Sequence, residues 1–120
     1  MALEKTKEMS SGKLASPANA AVLDLDWMRH QAGQVVSLLK VIGNPDRLLL
    51  LCQMLQGEYS VGELEEMLDI HQPTLSQQLT VLRKEKLVKT RRDGKQIYYS
   101  LASQVVIAVM GLLYKHYCKK

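Results

Sequence analysis

Cys52 and Cys118 are the two cysteines of the chain, and a cysteine thiolate can act as a nucleophile, a metal ligand or a redox switch. Cys52 lies within a run of leucines, "DRLLLLCQML", where a thiol commonly serves as a small buried hydrophobe. Cys118 has cationic neighbours that favour a thiolate, whereas the C-terminal end of a helix would oppose one. These neighbours are Lys115, His116, Lys119 and Lys120. The residues alone leave packing, metal binding and a thiol switch open.

Positive charge is concentrated in residues 83–95. Seven basic side chains share this stretch with two acids, whereas the whole chain has a net charge of +4. Charge focused in this way suits a polyanion such as DNA. A solvated surface hairpin is the alternative that charge alone leaves open. The basic residues that we expect to contact DNA are Arg83, Lys84, Arg91, Arg92 and Lys95.

Short hydrogen-bonding side chains are grouped in the segment "QPTLSQQLTVLRKEKL". An α-helix fits the major groove of DNA, where glutamine can bond adenine at two atoms and serine or threonine can bond bases or phosphates. A helix over this segment would carry such side chains near its N-terminal half: Gln72, Thr74, Ser76, Gln77 and Thr80. An ordinary solvated helix face would have the same composition, so the neighbouring elements decide between the two interpretations.

Helical signals precede that segment. From Ala21 the apolar period predicts a first helix. Gly43 would cap the end of this helix, and Asn44 and Pro45 would start a second one. The second helix is expected to run from Pro45 to about Leu55. Ser60 and Glu63 have the spacing of a capping box, which predicts a short third helix before the fourth.

Strand signals follow the fourth helix. The segment "LVKTRRDGKQIYYSL" predicts two strands joined by a turn at Asp93-Gly94. A last helix is expected from about Ser103 to about Tyr117, and its apolar surface needs cover from another element or a second copy. This order predicts a mainly α fold with a β-hairpin wing, that is, a winged helix-turn-helix that pairs as a homodimer.

The chain is predicted to have one folded domain. Residues 1–20 lack an apolar period and are expected to form a flexible tail, with the DNA-binding and dimerisation domain at residues 21–120. No apolar run approaches the roughly 20 residues that span a bilayer, so a cytoplasmic protein without a membrane partner is expected. No nucleophile–base set, glycine-rich phosphate loop or recognisable carboxylate pair is present, so neither an enzyme nor a cofactor is expected.

Three segments resemble the ArsR/SmtB family of bacterial repressors, over residues 30–118. They are "LLKVIGNPDRLLLLCQML", "SVGELEEMLDIHQPTLSQQLTVLRKEKLV" and "TRRDGKQIYYSL". The pattern "QPTLSQQLTVLR" is similar to the persulfide- and redox-sensing branch of that family, the BigR-, SqrR- and HlyU-like proteins. The resemblance implies a homodimer, joined through the first and last helices, that binds a palindromic double-stranded DNA operator and leaves it on sensing a signal.

The resemblance also implies a role for the cysteines. The persulfide-sensing branch carries its reactive cysteines in the second and last helices, where Cys52 and Cys118 are expected here. The implied inducer is a persulfide or polysulfide, which would join the two cysteines through a disulfide or a longer polysulfide bridge. The alternatives are a metal-responsive repressor, a DNA-binding regulator with inert cysteines, and a HlyU-like activator that displaces a silencer.

The sequence offers few of the ligands that metal sensing in this family requires. Metal-sensing members of the family use a Cys-x-Cys pair in the third helix, or acid and histidine sets on the last helix. Here the third helix has no cysteine and His116 has no matching set on the last helix. Because metal affinity needs several converging ligands, no metal site is expected.

Overall fold

Helices dominate the computed structural model, which describes residues 24–118. In chain order they are α1 (Leu25–Ile42), α2 (Pro45–Met54), α3 (Val61–Leu68), α4 (Thr74–Lys84) and α5 (Gln104–Leu113). The strands are β1 (Tyr59–Ser60), β2 (Val88–Asp93) and β3 (Gln96–Leu101), and a π-helical turn, Tyr114–Cys118, follows α5. The predicted winged helix-turn-helix fold is confirmed, and the tail predicted for residues 1–20 lies outside the described residues.

The described residues fall into two compact units, residues 24–37 and residues 38–118. The first unit contains most of α1, and the Asp24 side chain caps this helix by accepting a hydrogen bond from the N–H of Asp26 at 2.9 Å. Its larger apolar side chains, including Trp27 and Val35, are exposed in the single chain. An exposed apolar face of this kind suits burial against a second copy.

Three residues explain the junction between α1 and α2. The Asn44 side chain accepts a hydrogen bond from the N–H of Arg47 at 3.0 Å, and Pro45 starts α2, as predicted. Gly43 does not adopt the left-handed conformation that often follows a helix. A Cβ atom at Gly43 would lie 3.0 Å from the carbonyl oxygen of Leu39, so close backbone approach is what favours glycine there.

The predicted capping box starts α3. The hydroxyl of Ser60 accepts a hydrogen bond from the N–H of Glu63 at 3.2 Å, and the N–H of Ser60 donates to Glu63 Oε1 at 2.8 Å. Ser60 is buried, so water reaches these groups poorly if the cap is lost. The box therefore stabilises the first helix of the helix-turn-helix at its N-terminus.

Ser60→Ala should lower the free energy of unfolding by about 1 kcal/mol, because the N–H of Glu63 loses its acceptor. Urea denaturation at a fixed protomer concentration measures the change. Ser76→Ala, a substitution of an exposed side chain on α4, is the matched control and should change stability by less than about 0.5 kcal/mol. Equal stability of Ser60→Ala and wild type would contradict the role of the cap.

One hydrophobic core lies beneath the helix-turn-helix. The inward stripe of α4 consists of Leu75, Leu79 and Leu82, which are all buried. Other helices supply the remaining fully buried side chains: Leu50, Leu51, Leu64, Val106 and Met110. Because α4 is held by its apolar stripe, its opposite face stays exposed.

The wing is part of a sheet with strand order β1-β3-β2. Strands β2 and β3 are antiparallel and remain paired as far as Asp93 and Gln96, so the loop between them is Gly94-Lys95. The predicted hairpin is present, but its turn lies one residue later than Asp93-Gly94, and Gly94 takes the positive φ of 64°. Strand β1 was not predicted, because two residues are too few to show an alternating pattern.

The last helix differs from its predicted form. Ser103 caps α5 by accepting a hydrogen bond from the N–H of Val106 at 3.2 Å, but α-helical geometry gives way to the π turn at Tyr114–Cys118. Cys118 therefore does not continue the α-helical stripe of Ile107 and Gly111. Within residues 24–118, no helix combines the length and the apolar character needed to cross a membrane.

Candidate nucleic-acid interface and paired thiols

A tight turn joins α3 to α4. Asp69 adopts a left-handed conformation with φ 55°, and its N–H donates to the carbonyl oxygen of Glu65 at 3.1 Å. Ile70 is buried and anchors the turn in the core. His71 lies 3.2 Å from Glu65 Oε2 through Nδ1 and 2.6 Å from Asp69 Oδ1 through Nε2. These contacts fix the turn that orients α4.

The His71 contacts should make stability depend on pH. Hydrogen bonds to Glu65 and then to Asp69 raise the pKa of His71 above the ordinary histidine value of about 6.5. Their contribution is therefore complete below about pH 6.5 and is lost as the pH rises through the raised pKa. The difference in urea midpoint between wild type and His71→Gln should shrink between about pH 6 and about pH 9. A difference that stays constant or grows with pH would rule this out.

The outer face of α4 carries the side chains predicted to read bases. Gln72, Ser76, Gln77 and Thr80 are exposed, whereas Thr74 is half-buried. The Gln72 side chain accepts a hydrogen bond from the N–H of Ser76 at 3.0 Å, and the Thr80 hydroxyl donates to the carbonyl oxygen of Ser76 at 2.8 Å. Gln72 thus keeps its amide donors for DNA and Thr80 keeps its acceptor lone pairs.

Gln77 is the uncommitted amide among these side chains. Among residues 24–118, no hydrogen bond engages its side-chain amide, and the residue is exposed. Its donor and acceptor are therefore both available for the two-point contact that glutamine makes with adenine. Within the outer face of α4, Gln77 fits direct base recognition best.

Arg83 and Lys84 extend the polar face beyond the middle of α4. They line an open groove of about 500 Å³ together with Thr80 and Tyr99. Tyr99 was not among the residues predicted to contact DNA, because a strand pattern does not show which face meets α4. The phenol of Tyr99 adds a hydrogen-bond donor to a basic groove, which suits a backbone phosphate.

The predicted basic residues of the wing differ in their surroundings. Arg92 and Lys95 are exposed, and within residues 24–118 neither has an ion-pair partner. Arg91 instead pairs with Glu58, with Nη2 lying 2.8 Å from Oε1. Arg92 and Lys95 therefore carry the available positive charge at the tip of the wing, whereas the charge of Arg91 is partly neutralised.

Arg92→Ala and Lys95→Ala should each reduce the salt dependence of operator binding. If each side chain meets one phosphate, each substitution removes two phosphate contacts per dimer, so the slope of log K against log salt concentration should fall by about 2 in each variant. Fluorescence anisotropy over a salt series measures the slope. Lys40→Ala, outside both α4 and the wing, is the control and should keep the wild-type slope. Unchanged slopes in both wing variants would place the wing away from DNA.

The two cysteine side chains are neighbours. Cys52 is half-buried on α2 and Cys118 is exposed at the end of the π turn, and both are free thiols. They are close enough that Cys118 helps to raise the pKa of the Cys52 thiol. Both lie in an open groove of about 280 Å³, which is also lined by Leu49, Gln53, Gln56, Leu68 and Tyr114.

The environment makes the two thiols unequal. Burial, and then the neighbouring Cys118, raises the pKa of the Cys52 thiol. A raised pKa keeps Cys52 protonated near neutral pH, and Cys118 is the more exposed of the two. The arrangement therefore allows Cys118 to react first with a reagent from solvent and Cys52 to act second, without large movement of the chain.

The metal alternative depends on Cys52, Cys118 and His116. Within residues 24–118, no three side chains of histidine, cysteine, aspartate or glutamate converge in the way that would hold a metal ion. The paired thiols alone would supply two ligands, and structural zinc sites usually have about four. The donor set of this groove thus suits sulfur chemistry better than metal coordination.

Known proteins resemble the chain over most of its length. Residues 44–90 match the family described as "Bacterial regulatory protein, arsR family". The biofilm growth-associated repressor of Agrobacterium fabrum is 48% identical over 105 residues, covering 88% of this chain and 90% of that protein. The transcriptional activator HlyU of Vibrio cholerae is 40% identical over 99 residues, covering 82% of this chain and 92% of that protein.

Solved structures share the fold. The transcriptional repressor BigR from Xylella fastidiosa has a TM-score of 0.73 and 45% sequence identity, covering 79% of this chain and 94% of that one. A homodimeric winged helix-turn-helix DNA-binding domain from Mycobacterium bovis has a TM-score of 0.64 and 27% identity, covering 85% of this chain and 86% of that one. The likeness thus spans the helix-turn-helix and the wing together.

Proposed function

This chain belongs to the ArsR family of bacterial regulatory proteins, and we propose that it is a homodimeric repressor whose Cys52–Cys118 pair senses reactive sulfur. The reduced dimer binds a palindromic operator in the cytoplasm and releases it when a persulfide or polysulfide modifies the thiols. The observation that carries the sensing role is that Cys52 and Cys118 line the same groove, with Cys118 close enough to raise the pKa of the Cys52 thiol.

The sensing chemistry is a sequence of thiol substitutions. The Cys118 thiolate attacks the outer sulfur of a persulfide RSSH; the S–S bond breaks, and RS⁻ leaves and takes up a proton, so Cys118 becomes a persulfide. The Cys52 thiolate then attacks the inner sulfur of that persulfide, and HS⁻ leaves as a disulfide forms. If both cysteines are first persulfidated, the same substitution releases H₂S and leaves a trisulfide.

A sulfur bridge would tie the π turn to α2. Leu68, the last residue of α3, lines the same groove, so a change there acts directly on the helix-turn-helix. Operator half-sites lie about 34–36 Å apart, so the two α4 helices of a dimer tolerate little change in their spacing. A coupling free energy of about 1–3 kcal/mol would weaken operator binding about 5–150-fold.

The proposal is tested by treating the reduced protein with a polysulfide and, separately, with hydrogen peroxide. Intact mass and peptide mapping then identify the product, and operator binding is measured on the same samples. We expect a Cys52–Cys118 cross-link and DNA release after polysulfide, both reversed by dithiothreitol. Unmodified cysteines, or a cross-link that leaves operator affinity unchanged, would refute the sensing role while leaving DNA binding intact.

The similarity to a transcriptional activator supports a second candidate, in which the same DNA binding displaces a silencing protein. Transcription from the target promoter with purified polymerase separates the two roles. A repressor lowers transcription in the absence of any other regulator. A protein that acts only by displacing a silencer leaves transcription unchanged until the silencer is added, and then raises it.

A further inference from the structure

Arg91 of the wing and Glu58 form a bidentate ion pair. Arg91 Nε donates to Glu58 Oε1 and Oε2, each at 3.1 Å, and Nη2 donates to Oε1 at 2.8 Å. The guanidinium carbon of Arg91 also lies 4.8 Å from the centroid of the Tyr98 ring. A planar fork that both pairs with a carboxylate and stacks on an aromatic ring is particular to arginine, and lysine does not reproduce it.

The ion pair crosses the whole sheet. Glu58 directly precedes β1, Tyr98 lies on the central strand β3, and Arg91 lies opposite Tyr98 on β2. Ser60 pairs with Tyr98 and also caps α3. The Arg91–Glu58 pair therefore connects the wing to the start of the helix-turn-helix, where the direct pairing of β1 with β3 involves only two residues of β1.

The charge of Arg91 is engaged within the chain. Hydrogen bonds from Arg91 hold the pKa of Glu58 below its usual value, so the carboxylate stays ionised. Arg91 Nη1 also lies 3.9 Å from Asp93 Oδ2. Arg92, the next residue along β2, extends from the other face of the strand and has no acidic partner within residues 24–118. A phosphate would have to displace a carboxylate to reach Arg91, but not to reach Arg92.

We propose that Arg91 is a positioning residue, which with Glu58 and Tyr98 fixes the wing against the helix-turn-helix so that Arg92 and Lys95 meet the DNA backbone. Arg91 then raises operator affinity without contacting a phosphate. The proposal rests on DNA binding by the reduced protein and not on sulfur sensing, so the two can fail separately.

Glu58→Gln distinguishes this positioning role from a phosphate contact, because the two roles predict opposite changes in operator affinity. If Arg91 bound a phosphate, removing the competing carboxylate and its negative charge would tighten operator binding. If Arg91 positions the wing, the loss of the fork weakens binding, and we expect about a 3- to 10-fold increase in Kd. Glu58→Ala removes the remaining acceptor and should weaken binding at least as much.

Arg91→Lys supplies the second test, because it keeps the charge and loses both the fork and the stacking. We expect its Kd to rise as far as that of Glu58→Gln, with no further rise in the double variant, because both changes break one interaction. The wing of these three variants still reaches the DNA backbone in the complex, and only the cost of ordering it rises, so their salt slopes should equal that of wild type. Arg92→Ala removes one contact from each protomer and should lower the slope by about 2. Circular dichroism melts verify that each variant is folded at the temperature of the assay.

Tighter or unchanged binding by Glu58→Gln would overturn the proposal. So would wild-type affinity in Arg91→Lys, or a reduced salt slope when Arg91 is replaced by glutamine. A wild-type protein that binds no operator would instead refute the DNA-binding function itself.

Discussion

Cys118→Ser should bind the operator as tightly as the reduced wild-type protein and should keep that affinity after polysulfide treatment. Cys118 is exposed on the π turn, so serine replaces the sulfur at little cost to folding. Without its sulfur, no bridge to Cys52 can form. The polysulfide-induced loss of affinity, expected to be about 5–150-fold in wild type, should therefore disappear in the variant. Anisotropy titrations before and after treatment measure it.

Two further variants sharpen this test. Cys52→Ser should also lose the response, although Cys118 can still be persulfidated and should show the added mass. Tyr117→Phe, next to Cys118 and with both thiols intact, is the matched control and should respond like wild type. Release of DNA by either cysteine variant after polysulfide treatment would show that the response does not need the bridge.

Arg47→Ala should lower the free energy of unfolding by about 2 kcal/mol, because it leaves two half-buried acceptors and one exposed acceptor without a donor. Arg47 Nε donates to the carbonyl oxygen of Val41 at 2.7 Å, and Nη2 donates to that of Lys40 at 3.3 Å. These carbonyls belong to the last turn of α1, where no helical N–H reaches them. Nη1 donates to Gln78 Oε1 on α4 at 2.8 Å, so one side chain joins three helices.

Urea denaturation and thermal melts at a fixed protomer concentration measure the Arg47 effect. The expected fall in Tm is on the order of 10 °C for a domain of this size. Arg47→Lys should recover part of the stability, because an ammonium can still bond one or two of the three acceptors. Arg92→Ala, an exposed arginine of the wing, is the matched control. A loss below about 0.5 kcal/mol in Arg47→Ala would show that water replaces the guanidinium without penalty.

Helix boundaries and the core stripe of α4 could be predicted because their causes are local. Asn44 caps α2 through the N–H of Arg47, and Ser60 caps α3 through that of Glu63, in each case three residues away. Leu75, Leu79 and Leu82 recur at the helical period, so their common face follows from the residue order. The outer face of α4, and with it the predicted base-reading side chains, follows from the same period.

Contacts between residues far apart in the chain determined the thiol pair and the ion pair of the wing. Adjacency of Cys52 and Cys118 was implied only by family resemblance, and it depends on where the π turn bends the chain after α5. The engagement of Arg91 by Glu58 depends on a strand, β1, too short to leave a pattern. Periodicity and capping reveal interactions between residues within about four positions of each other. The partner of a thiol or a guanidinium instead depends on how whole helices and strands pack together. The sequence alone therefore identified the DNA-binding fold, and the folded chain alone showed which cations are free to bind DNA and which thiols can meet.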